Sequence, residues 1–262
     1  MQSTSFVRRF LPLAMLGIVG VIALLVANRE VISNAFAAIP ELANLPMPVQ
    51  LLINGVQPVI FVVIASMVGA ALSTRLGLRS KLAGDTVVLP RNAWWQTLGL
   101  GVAVCLVVIV LDLLTRGLMP PVKPGSEALL SGLSHTTVAS VLGALLYGGI
   151  TEEVLLRWGL MTLLIWLGWR LLQKGEGAPK AGLVWTMIVV TAVLFGLGHL
   201  PTTAMTYDLT PFVVMRAIVF NGLFGVLAGW LYWKYCLEMA MLAHMAFHVV
   251  LTVVNLALVA LA

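Results

Sequence analysis

The sequence predicts an all-α, polytopic membrane protein, a bundle of about seven transmembrane helices, and three observations carry that expectation. First, 61% of the 262 residues are hydrophobic and 10% are charged, with a mean hydropathy of +1.05. A water-soluble domain carries about 25% charged residues. Second, apolar runs of about 20 residues recur along the chain, the length that crosses a ~30 Å hydrocarbon core as a helix. Third, the alternating segments of ~10 residues that mark a transmembrane barrel are absent from the sequence.

The spans follow in order. The first runs from Phe10 to Ala27, after Arg8-Arg9, and the second from Leu51 to Thr74, softened by Gly55 and Pro58. The third is Trp94 to Leu114. The fourth starts near Thr136 and carries Glu152, Glu153 and Arg157. The fifth is Leu183 to Leu200, the sixth Pro211 to Trp233 and the seventh Met239 to Leu261. Proline is absent from Thr136 to Leu172. A helix that long would measure ~55 Å, more than one bilayer core. It must either project into the cytoplasm or break near Trp158-Gly159.

Arg75, Arg79, Lys81 and Arg91 between spans two and three face one acid, Asp85. Basic loops lie in the cytoplasm, so the N-terminus falls inside and the loop from Arg116 to His135 outside. Ala35-Phe36-Ala37 resembles a signal-peptide cleavage site. It lies far beyond the apolar stretch, so residues 1–37 read as an uncleaved anchor. The net charge of +5 sits in these loops and requires no nucleic-acid partner. Cys105 and Cys236 lie in or beside apolar runs and suggest neither a disulfide framework nor a zinc ribbon. Glu30, Glu41, Asp85 and Glu127 read as loop charges, and His135 as a solvated or helix-capping residue.

Chemistry is expected where charge sits at bilayer depth. Each charged acid there costs roughly 2.5–3.5 kcal/mol on insertion scales, so it is kept for a partner or a wet cavity. Glu153 and Arg157 stand at i and i+4, the better order for a helix ion pair. Glu152 lies about 100° round the helix. The simplest division makes Glu153–Arg157 the supporting pair and Glu152 the free carboxylate. Glu152 and His199 lie at nearly equal separations from the Gly175–Gly177 turn, so an antiparallel hairpin brings them to similar depth. His199 reads either as a helix-end residue bonded to a carbonyl or as an imidazole that orients water or carries a proton. His244 and His248 share one face of span seven. They fit either metal ligation with Glu152 or His199 or donation to a developing oxyanion. Gly225 and Gly229 form a GxxxG packing face, Gly196 and Gly198 permit close approach near His199, and Asn221 is a polar residue placed to support the site.

Taken together, these motifs resemble the CAAX-protease and bacteriocin-processing (CPBP, or Abi) family, whose eukaryotic relatives are Rce1-type prenyl-protein endopeptidases. The likeness runs from about Leu145 to Asn255. EExxxR is read at Glu152 to Arg157, FxxxH at Phe195 to His199, a glycine-rich segment at Gly222 to Tyr232, and HxxxN/D at His244 to His248. The resemblance implies an Rce1-like catalytic core in the last four helices, residues 133–262, preceded by transmembrane helices and loops over 1–132. It implies a glutamate-type endopeptidase without cofactor or metal. Glu152 would activate water with the help of His199, His244 and His248 would polarise the scissile carbonyl, and Glu153 and Arg157 would support them. The sequence departs from the pattern at Trp158, where a small residue is common, and at His248, where Asn or Asp is usual.

The expected activity is intramembrane cleavage of a membrane-anchored or exported peptide or protein substrate in the lipid bilayer, in a bacterial inner membrane, at a polar cavity open to the cytoplasm. The alternatives are a zinc protease built on the histidine pair, a non-catalytic immunity or scaffold protein, and, last, a proton-coupled transporter.

Overall fold

The structure, a computed structural model, describes residues 5–124, 126 and 137–261. His135 and Glu127 lie outside them. Seven of its helices are long and apolar enough to cross a membrane: α1 (Phe6–Ala27), α3 (Met47–Leu72), α4 (Ala93–Thr115), α5 (Val138–Leu172), α6 (Ala181–Gly198), α8 (Pro211–Lys234) and α9 (Leu237–Leu261). Short helices α2 (Arg29–Ala37) and α7 (Leu200–Thr206) lie between them. The protein is therefore an integral, multi-pass membrane protein.

Burial separates the two faces of each span. On α1 the buried residues Arg9, Leu13, Ala14, Gly17, Gly20 and Val21 follow helical spacing. Between them Leu11, Met15, Val19, Ile22 and Val26 are exposed, as a lipid-facing surface should be. On α4 the buried stripe Ala93, Thr97, Gly101 and Cys105 recurs every four residues and lies against α9, where Gly101 meets Ala243. Helix α3 continues through Gly55 and Pro58 without interruption.

Helix α5 does not break at Trp158-Gly159. It starts at a capping box between Thr137 and Ser140 and continues to Leu172. Two π-helical stretches, Ala144–Thr151 and Val154–Met161, lie on either side of the glutamates. At its end Leu171 and Leu172 are 77% and 76% exposed.

Trp158 is fully buried between helices. A Cβ at Gly69 of α3 would fall on its indole ring, so a glycine there is what admits the tryptophan. Its Nε1–H donates to Ser66 O at 3.3 Å, and the Arg9 guanidinium lies 5.6 Å over its ring.

Two charges read as loop features are structural. Arg9 is 3% exposed. It forms a two-pronged ion pair with Asp85 and donates to Ser73 Oγ at 2.8 Å. Asp85 Oδ2 also accepts the Ser80 N–H at 2.9 Å. Nearby, Glu238 at the start of α9 accepts from Ser80 Oγ at 2.6 Å and Leu82 N at 3.0 Å. The α3–α4 connection is thus bound to both the first and the last helix of the bundle. At the opposite end Arg216 of α8 pairs with Asp112 of α4.

Candidate active site

The π-helical turns of α5 present two adjacent carboxylates to one ring. His244 Nδ1 lies 2.8 Å from Glu153 Oε1, while its Nε2 lies 3.9 Å from Glu152 Oε2. The same Glu153 Oε1 is 3.2 Å from Arg157 Nη1. Glu153, Arg157 and His244 are 0%, 1% and 3% exposed, and the Glu152 side chain is 17% exposed. The division of roles by helix face therefore needs one amendment. The two glutamates do not serve separate faces, because an imidazole offers a nitrogen on each side and long glutamate side chains reach both. The Glu153–Arg157 pair also extends to His244.

Neighbouring helices complete the cluster. Arg157 Nη2–H donates to Gly225 O of α8 at 3.1 Å, and its guanidinium lies 5.1 Å over the Phe195 ring. Phe224 packs on His244 with ring centroids 4.1 Å apart. The α6–α8 approach uses small residues. A Cβ at Gly225 would press on Ala192, one at Gly229 on Ile188, and one at Gly196 on the Ile218 backbone. Gly198, by contrast, faces open space.

His199 stands at the junction between α6 and α7, where Pro201 follows. Its Nδ1–H donates to Phe195 O at 2.8 Å, since a carbonyl only accepts. A neutral ring then leaves Nε2 as an acceptor. The ring meets Phe195 edge-on at 4.8 Å, and Phe195 meets His244 at 6.1 Å. His199 thus reaches the cluster through Phe195.

His248 stacks on His244, with centroids 4.8 Å apart and ring planes 14° from parallel. Its Nε2 is buried without a hydrogen-bond partner. A Cβ at Gly148 would collide with that nitrogen, so only glycine there lets α9 carry a histidine into this space. Asn221 donates to Ala217 O, one turn back on its own helix, at 2.8 Å. That bond lies within its own helix.

Among the described residues no three His, Cys, Asp or Glu side chains are grouped to hold a metal ion. The His244–His248 pair lacks a third ligand, and His244 Nδ1 is already engaged by Glu153.

Fold and site together define a helical membrane protein with a carboxylate–imidazole cluster held among its membrane-spanning helices. Residues 134–250 match the family described as "Type II CAAX prenyl endopeptidase Rce1-like". This segment, which holds the whole cluster, is similar to that family, which supports the resemblance to the CPBP (Abi) proteins. The match supports a membrane CAAX-type protease in general. No curated protein and no solved structure matches the chain.

The sequence reading missed the Arg9–Asp85 and Asp112–Arg216 pairs. A signal existed for the second: both residues stand inside apolar runs, one on each of two spans.

Proposed function

We propose that the protein is a glutamate-type intramembrane endopeptidase whose catalytic core is residues 133–262, acting in a bacterial inner membrane on a membrane-anchored or exported peptide. One observation carries this reading: a single imidazole is held at Nδ1 by Glu153 and meets Glu152 at Nε2.

Charge balance gives that arrangement its chemistry. Two carboxylates and one guanidinium leave one negative charge in a buried site. A buried net charge is costly, so one further proton belongs to the Glu152–His244 pair. With that proton on Nε2, Glu152 is an ionised base and His244 a charged donor. Water attacks the scissile carbonyl carbon while Glu152 takes its proton. The developing oxyanion accepts hydrogen bonds from His244 and, once substrate entry uncovers it, from the unpartnered Nε2 of His248. Glu152 then returns the proton to the leaving amine as the C–N bond breaks. His199 Nε2, an acceptor, helps to orient the water. Arg157 and Glu153 hold the position of the His244 ring and touch no reacting atom.

Peptide mapping of membranes with and without the Glu152→Gln variant tests the proposal. Cleavage products should vanish in the variant while the protein remains inserted. An unchanged peptide pattern would rule out the protease in favour of a non-catalytic scaffold or immunity protein.

A further inference from the structure

The site divides the bundle in depth, and the closed packing lies on one side of it. On α9 the core residues Leu237, Met239, Met241 and Ala243 all precede His244. On α5 Val154, Trp158, Met161 and Ile165 all follow Glu153. On α8 Leu231 and Tyr232 lie towards Lys234, and on α6 Val184 and Ile188 precede Phe195. Trp158, Met161, Leu231, Tyr232, Leu237 and Met239 are each 0% exposed. The seven-residue step from Leu237 to His244 makes this layer ~10 Å deep. Packing of that density leaves few voids larger than a water molecule.

On the other side the packing opens. Among the described residues, no side chain of α9 beyond Ala246 is buried, and none of α7 is. On α5 Gly143 is the sole buried residue before Gly148. Glu152, His199, His248 and Tyr147 are all partly exposed on this side.

The closed end is also the basic end. It carries Arg75, Arg79, Lys81 and Arg91 in one connection, Arg170, Lys174 and Lys180 around the α5–α6 turn, and Lys234. The acids there are Asp85, Glu176 and Glu238; at the open end, among the described residues, Arg29, Arg116, Lys123 and Arg216 are matched by Glu30, Glu41, Asp112 and Asp208. The positive-inside rule assigns the basic end to the cytoplasm.

We propose that the site draws its water and its substrate from the exterior face, and not from a cytoplasmic cavity. The substrate is then an exported or surface-facing polypeptide whose scissile bond reaches the cluster from the exterior side. The substrate clause rests on the protease reading above, whereas the side of entry stands on packing and charge alone.

Thiol labelling tests the side of entry without requiring activity. Both native cysteines are buried, and Cys105→Ala/Cys236→Ala supplies the background. Thr252→Cys, one turn beyond His248, and Tyr147→Cys, on α5, are two independent reporters. Glu41→Cys marks the exterior and Lys81→Cys the basic end. In right-side-out membrane vesicles, a charged, impermeant methanethiosulfonate should label Glu41→Cys and at least one reporter. Lys81→Cys should react only after permeabilisation. Reporters that share the sidedness of Lys81→Cys, reporters silent on both sides, or labelling of Lys81→Cys in sealed vesicles would each overturn exterior entry. An active protease with cytoplasm-facing reporters overturns only the side of entry. Exterior-facing reporters in a protein whose Glu152→Gln variant changes no peptide overturn only the protease.

Discussion

Glu153 and Arg157 act as a buried unit with His244, and their removal has a direction that follows from burial. Taking away one partner of a buried ion pair strands the other and costs about 3–5 kcal/mol. Glu153→Ala and Arg157→Ala should therefore lower the thermal unfolding temperature in detergent and reduce the amount of inserted protein. Glu152 is the partly exposed member, 3.9 Å from His244 Nε2. Glu152→Gln should leave the unfolding temperature near that of the wild type. A large loss of stability in Glu152→Gln beside a stable Glu153→Ala would reverse the two roles. His248 has a separate signature. Its unpartnered Nε2 implies that His248→Asn, which restores a donor, keeps more activity than His248→Ala, read as cleavage rate in the same membranes.

Between helices, contacts depend on residues too small to be noticed individually. Gly69 admits Trp158, and Gly148 admits His248. The Trp158 departure from the family pattern is thus accommodated on another helix. Gly69→Ala should destabilise the protein by 1–3 kcal/mol, about the cost of overpacking a filled core, and pairing it with Trp158→Phe should recover part of the loss. Gly148→Ala should instead displace the His248 ring. The expected result is a strong fall in cleavage with a smaller fall in unfolding temperature. The π-helical stretches of α5 explain why simple helical geometry misjudged the glutamates. A 100° step per residue places Glu152 and Glu153 on different faces, but wide π turns flank the pair, and His244 reaches both.

Across the whole molecule, two distant ion pairs fasten the ends of the bundle. Arg9–Asp85 ties the first helix to the α3–α4 connection, and Arg216–Asp112 ties α8 to α4. A double-mutant cycle on Arg9 and Asp85 should give a coupling of about 0.5–3 kcal/mol in unfolding measurements, the range for residues in contact. Additive single effects would reduce the pair to a surface charge feature. Gly17 and Gly20 of α1 receive Val62 and Thr151, and Thr151 Oγ1–H donates to Gly17 O at 2.9 Å. The N-terminal helices therefore pack directly on the helix that bears the glutamates.

The chain alone determined that the protein is helical and membrane-spanning, and where its seven spans lie, because apolar length and low charge are properties of composition and order. It also singled out Glu152, Glu153, Arg157, His199, His244 and His248, since charge and imidazole at bilayer depth are rare without a role. Tertiary structure alone decided that Glu152 and Glu153 share His244, that Asp85 belongs to buried Arg9, that Asn221 bonds within its own helix, and that the tight packing faces the basic end. Those outcomes depend on which helix faces meet and how closely. Packing is set by side chains far apart in the sequence, so no local pattern encodes it.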